Sequence, residues 1–157
     1  PFEETYALMT DSTRNSVTVI QQALENANTD IDLWDTSGNS LAAQLKVAAK
    51  LIDVRESVLD QKRQIIFVGL GGWDTHGNQM VNHANRLGQI DDALSAFHNA
   101  IHGADGAGID NNSVTTFTAS EFGRSLTING DGTDHAWGAH ALVMGSATAE
   151  SSGMESS

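Results

Sequence analysis

The run Gln64-Ile65-Ile66-Phe67-Val68-Gly69-Leu70 constrains the fold more than any other stretch of this chain. It is continuous and apolar, with Ile65, Ile66, Phe67 and Val68 in a row. A strand covered on both faces has this composition, and such strands belong to parallel sheets with helices on each side. The run ends in Gly71-Gly72-Trp73-Asp74-Thr75-His76-Gly77-Asn78-Gln79. Ligands of open α/β sheets bind beyond the carboxyl ends of the strands. Chemistry is therefore expected in this loop.

The rest of the chain supplies helices to pack on such a strand. Residues 1–12 are mixed and polar and read as a partly ordered lead-in. Val17, Ile20, Ala23 and Leu24 recur at helical steps, which predicts a helix over Thr13–Asn28. Thr29–Asp32 and Thr36–Asn39 are turn-rich, and Trp34 between them reads as a packing anchor under a loop. Asn39 or Ser40 can cap a second helix that runs to about Ser57, with Leu41, Leu45, Ala48 and Ile52 as its buried stripe. The strongest periodicity lies in Arg86–His102, where Leu87, Ile90, Leu94, Phe97 and Ile101 repeat along one face. His98 and His102 stand four apart on that helix, a metal-binding spacing, but without a nearby third ligand they read as partly exposed surface. A glycine-rich loop over Gly103–Asn112 ends the helix.

Val114–Ala119 and Ala141–Gly145 read as further strands, giving about three strands flanked by helices in one α/β domain over residues 1–145. Three strands make a small sheet, so more are expected from a missing part or a partner chain. Pro1 at the start also points to a piece of a longer protein. Residues 146–157 hold no core former except Met154 and read as a flexible tail.

Charge narrows the function. Eight basic and twenty acidic residues give a formal net charge of −12. Nucleic acid and anionic membranes need a basic surface, so neither is expected as a partner. No run of eighteen apolar residues is present, so no membrane span is expected. Zero cysteines exclude disulfides, thiol chemistry and cysteine-bound zinc.

Two polar clusters carry candidate chemistry. If the strand geometry continues through them, Asp74 and His76 point the same way, two residues apart. A carboxylate beside an imidazole suits a divalent metal such as zinc or manganese. It equally suits a general base oriented by an acid. The second cluster runs from Ser120 to His140 and adds Glu121, Asp134, His135 and His140. Mixed sets of this kind clamp an oxyanion and activate water in metal-dependent hydrolases. Asn129–Thr133 carries strong turn chemistry, and its Asp spacing does not match an EF-hand loop. Arg124 suits either an anion, held bidentately, or a structural pairing with Glu121 or Asp134.

Three motifs in this order resemble the bacterial family called domain of unknown function 1501: Gly71–Gln79, Phe117-Thr118-Ala119-Ser120-Glu121-Phe122-Gly123-Arg124-Ser125, and Asn129–His140. The resemblance spans about Ser40 to Gly145. Members look like distant relatives of the alkaline phosphatase and sulfatase superfamily, and many are exported with a twin-arginine signal. The resemblance thus implies part of a doubly wound, alkaline-phosphatase-like sheet and a periplasmic or secreted protein. It implies a metal site holding zinc or manganese, acting on a small anionic phosphate or sulfate ester. Asp74 and His76 would serve one metal, with Glu121, Asp134, His135 and His140 completing the set and Arg124 steadying the anion. The superfamily's nucleophile and first metal-binding Asp would lie in an N-terminal half outside this chain. Phe122 stands where that superfamily has a His. The alternative is a non-catalytic exported protein that uses the fold for assembly or binding.

Overall fold

A computed structural model describes residues 2–27, 31, 34–103, 108–109 and 113–145. Helix α1 spans Phe2–Asn26, α2 spans Ser40–Asp53 and α3 spans Gln79–His102. Four short strands follow: β1 Thr115–Phe117, β2 Gly123–Ile128, β3 Thr133–Ala136 and β4 Val143–Gly145. The architecture is mixed α/β, as expected. The predicted tail over 146–157 and the turn at 29–30 lie outside the described residues.

The centre of the molecule is the packing of α2 on α3. Leu41, Ala42, Leu45, Ala48, Ala49 and Ile52 on α2 meet Ala93, Phe97 and Ile101 on α3. This is the predicted α2 stripe, one to two kilocalories or more per large side chain removed from water. On α3 the stripe is buried only in its second half. Leu87 is exposed, and Ile90 and Leu94 are partly buried at the edge of the core. Trp34 packs against this core as a loop anchor.

Caps explain where the helices begin. Asn39 is extended at the α2 N-cap, and its side-chain oxygen accepts the Ala42 N–H at 3.1 Å. Its Nδ2 donates to Gln89 O at 2.8 Å, so the cap also ties α2 to α3. The α2 helix ends at Asp53, four residues earlier than expected, where Val54 turns inward and becomes buried among Ala23 and Ala27. Helix α1 is longer than expected and takes in the lead-in. Glu3 and Glu4 lie in its first turn, the favourable end of the helix dipole for a negative charge. The hydroxyls of Thr10, Thr13 and Thr18 donate to carbonyls four residues back, so these polar residues do not break the helix. Its predicted core residues Val17 and Ile20 are exposed, and Ala23 carries the packing instead.

The strands depart most from expectation. The run 64–70 is extended but pairs with no strand among the described residues. Val68 and Leu70 face the α2–α3 core, whereas Ile65 and Phe67 are 102% and 94% exposed. Helices cover one side of this run only, so its continuous apolar composition does not mean burial on both faces. Gly69 is held instead by the side chain of Gln44, which accepts its N–H at 3.0 Å and donates to its carbonyl at 2.8 Å. The described ladders are two separate antiparallel pairs, β1 with β4 and β2 with β3, in place of the parallel pairing expected. β2 and β3 are joined by only four residues, which allows no other direction. No described helix is long and apolar enough to cross a membrane.

Candidate functional site

The site is built where the hairpin β2–β3 meets the loop before α3. The turn 129–132 is closed by Asn129 N–H donating to Gly132 O at 3.0 Å. Asp131 in this turn accepts the Asn78 N–H at 2.7 Å. Asn78 is the N-cap of α3, left-handed at φ 52°, with no side-chain cap of its own. Asp131 thus supplies from 53 residues away the acceptor that a helix start needs. Beside it, Gln79 Oε1 accepts the Thr133 N–H at 2.6 Å. Asn129–Thr133 forms the expected turn, and it closes a hairpin that docks on α3, which the expectation did not include. The signal was available: β-branched residues flank an Asn-Gly-Asp-Gly turn, the pattern of a hairpin.

This docking brings the two polar clusters together. A hydrogen bond from Thr75 N–H to Trp73 O at 3.0 Å makes a three-residue turn centred on Asp74. The Asp74 carboxylate projects from it. Asp74 and His76 therefore share a cavity as expected, but through a tight turn rather than a continued strand. His135 on β3 donates from Nε2 to Asp74 Oδ1 at 2.8 Å. A carboxylate can only accept, so Nε2 carries the proton. His76 Nε2 lies 3.6 Å from the same oxygen. Asp74 is held below its ordinary 3.8, first by the His135 hydrogen bond, which outweighs the opposing cost of desolvation, and then by the positive potential of His76, His135 and Arg124.

Arg124 is 15% exposed and directs its Nη donors into the protein, while its buried Nε has no hydrogen-bond partner. Its Nη1 donates to Thr133 O and its Nη2 to Trp73 O at 2.8 Å. It so ties the Asp74 turn to the hairpin, with its guanidinium 3.9 Å from Asp74 Oδ1. It pairs with neither Glu121 nor Asp134, the two partners considered from sequence; the backbone carbonyls take that place. Arg124 lies opposite His135 in the β2–β3 register. Phe122, two residues before Arg124, shares its face of the hairpin. The Phe122 ring stacks on His135 with centroids 3.7 Å apart and planes 9° apart, and Arg124 Cζ lies 5.2 Å from the Phe122 ring. Such contacts contribute on the order of 1 kcal/mol each. Gly123 between them fits because a Cβ there would run into Gly138 O.

The result is a cleft of about 240 Å³. Asp74, Thr75 and His76 line it from the loop before α3, and Arg124, Asn129, Gly132, Thr133, Asp134 and His135 from the β2–β3 hairpin. Four of the six expected metal ligands are here: Asp74, His76, Asp134 and His135. Asp134 is engaged by the Asn129 side-chain amide. Glu121 and His140 are exposed and do not line the cleft. Glu121 precedes β2 and His140 follows β3, both beyond the last paired residues of the hairpin's open end. His98 and His102 lie with ring centroids 4.6 Å apart and planes tilted by 45° on α3, and neither lines the cleft.

A family model described as "Protein of unknown function (DUF1501)" matches residues 5–153. The chain belongs to this family. No curated protein and no solved structure matches it significantly. Each motif that carries the DUF1501 resemblance, Gly71–Gln79, Phe117–Ser125 and Asn129–His140, contributes lining residues to the cleft, the second through Arg124.

The metal implied by the DUF1501 resemblance is judged by the donors present. Two ligands of a tetrahedral zinc at about 2.0–2.1 Å stand about 3.3–3.4 Å apart. The separations of 2.8 and 3.6 Å around Asp74 Oδ1 fall on either side of that spacing. Two imidazoles, one carboxylate and an open position fit the donor chemistry of a catalytic zinc site. They do not yet form a finished shell: among the described residues no group of three His, Asp or Glu side chains is arranged to hold an ion. The proton on His135 Nε2 stands where a metal bond would form.

Proposed function

We propose that this chain carries the metal-binding cleft of a hydrolase acting on small anionic phosphate or sulfate esters. The observation that supports it is the gathering of His135 at 2.8 Å and His76 at 3.6 Å around one oxygen of Asp74, at a solvent-open cleft. Asp74, His76 and His135 would hold the ion, zinc or manganese, with Asp134 on the rim. A bound divalent ion supplies Lewis-acid polarisation of an ester oxygen and lowers the pKa of a bound water. Asp74 is ionised at neutral pH, as an ordinary aspartate is, and its neighbours favour that form further. Arg124 fixes the Asp74 turn and places positive potential beside the cleft, which offsets the repulsion between an anionic ester and a chain of net charge −12. Glu121 and His140 take no part in this cleft. A doubly wound sheet and export belong to the same proposal.

The test uses the intact protein loaded with zinc or manganese and chromogenic aryl phosphate and aryl sulfate. Saturable hydrolysis that a chelator abolishes, and that His76→Ala reduces to background, is the expected result. Absence of bound metal after reconstitution, with turnover unchanged in His76→Ala, defeats the proposal.

One observation favours a second, non-catalytic role in assembly. Arg124, Gln79, Asn129 and Asp131 direct their hydrogen bonds within the protein, as a loop scaffold does. The bare side chains of Ile65 and Phe67 suit coverage by another surface. Thermal stability indifferent to both zinc and chelator distinguishes this role from the first.

A further inference from the structure

We infer that Phe122 is the positioning residue of His135, the group that fixes the imidazole plane so that Nε2 addresses Asp74. The inference rests on the proposed metal-binding cleft for its functional meaning, though not for its geometry. His135 sits on an exposed face of a two-stranded hairpin, with its side chain half exposed. A histidine ring in that setting is free to turn about its two side-chain bonds. Two contacts restrain it. At its tip, Nε2 donates to Asp74 Oδ1 at 2.8 Å. Across its face, Phe122 lies nearly parallel at 3.7 Å.

The tip contact alone fixes one atom and leaves the ring plane to rotate. The stack fixes the plane. Phe122 is in turn held from both directions along the chain. Arg124, anchored on Trp73 O and Thr133 O, lies 5.2 Å from its ring. On the other side, the Ser120 hydroxyl donates to Phe122 O at 2.8 Å and fixes its backbone. Strand alternation puts Phe122 and Arg124 on one face, and the register puts Arg124 opposite His135. A histidine at position 122 would bring a third imidazole. A phenylalanine brings an apolar plate that orients a donor already present.

The experiment compares the intact protein with Phe122→Leu, which keeps apolar bulk, and Phe122→Tyr, which keeps the ring. NMR of the His135 imidazole gives the first readout. In the native protein its carbon-bound ring protons are shifted upfield by the Phe122 ring current, and the proton resides on Nε2. Phe122→Tyr retains both signatures. Phe122→Leu loses the upfield shift, and the Nε2–H signal broadens into exchange. Zinc titration gives the second readout: Phe122→Leu weakens binding by on the order of 10–100-fold, and Phe122→Tyr by less than about threefold, as for groups that orient a metal ligand. Native His135 protons at unshifted positions overturn the inference, even if Phe122→Leu does not fold. So does a Phe122→Leu protein that folds and keeps both the Nε2–H signal and native zinc affinity. If the native protein binds no zinc, the metal-site proposal fails, and the NMR readout still decides the role of Phe122.

Discussion

The carboxylate of Asp131 accepts the backbone N–H of Asn78 at 2.7 Å and so provides the α3 start with an acceptor that its own N-cap side chain does not. This bond joins the hairpin turn to the loop that bears Asp74 and His76. Asp131→Ala is expected to cost on the order of 1 kcal/mol, the usual scale for a lost helix cap. For a chain of this size that lowers the melting temperature by roughly 2–4 °C. Asp131→Asn keeps an acceptor oxygen and should recover part of the loss. Thermal melts of the two variants check both points.

Arg124 spans Trp73 O and Thr133 O with one planar group. An ammonium on a flexible stem does not reproduce that fork. Arg124→Lys is therefore expected to lose about 1–3 kcal/mol, the scale of a charged hydrogen bond left unmade. The Asp74 turn should loosen with it. Faster amide exchange at Thr75 in Arg124→Lys, with α2 unchanged, is the checking measurement.

Burial separates two leucines. Leu45 is 3% exposed between α2 and α3, and Leu126 on β2 is 102% exposed. Leu45→Ala is expected to cost about 2–5 kcal/mol. Leu126→Ala should stay within about 0.5 kcal/mol, as for an ordinary surface change. Denaturant midpoints of both variants test where the core lies.

The lowered pKa of Asp74 gives a pH dependence. Its neighbours favour the ionised form in the folded state, so its contribution to stability is present above the ordinary value of 3.8. It is lost as pH falls below 3.8 through the folded value. The stability gap between the native protein and Asp74→Asn should be level above pH 5 and close progressively below pH 4. A gap that widens on acidification contradicts the His135–Asp74 bond as the main cause.

Much of this was legible in the sequence, for identifiable reasons. Leu41, Leu45, Ala48 and Ile52 announced the buried face of α2, and Asn39 its cap, because both signals are local. Asp74, His76, Asp134 and His135 could be grouped because each lies in or beside a glycine-containing turn. Glu121 and His140 could not be separated from them by spacing alone. That depended on how the β2–β3 hairpin docks on the loop before α3, where Asp131 meets Asn78 and His135 meets Asp74. Ile65 and Phe67 misled for a different reason: apolar composition records the wish to be covered, not whether a cover is at hand. Phe122 was legible as a departure from a histidine, but its stacking on His135 needed the register of the hairpin.

In the proposed cleft, Asp74, His76 and His135 would hold one divalent ion. Anomalous scattering from a crystal of the intact protein grown with zinc, recorded on both sides of the zinc edge, tests it most directly. The expected result is a peak bonded to Asp74 Oδ1 and to both imidazoles, absent from Asp74→Ala crystals grown in the same way. An empty cleft at saturating zinc, or zinc found only at His98 and His102, contradicts it.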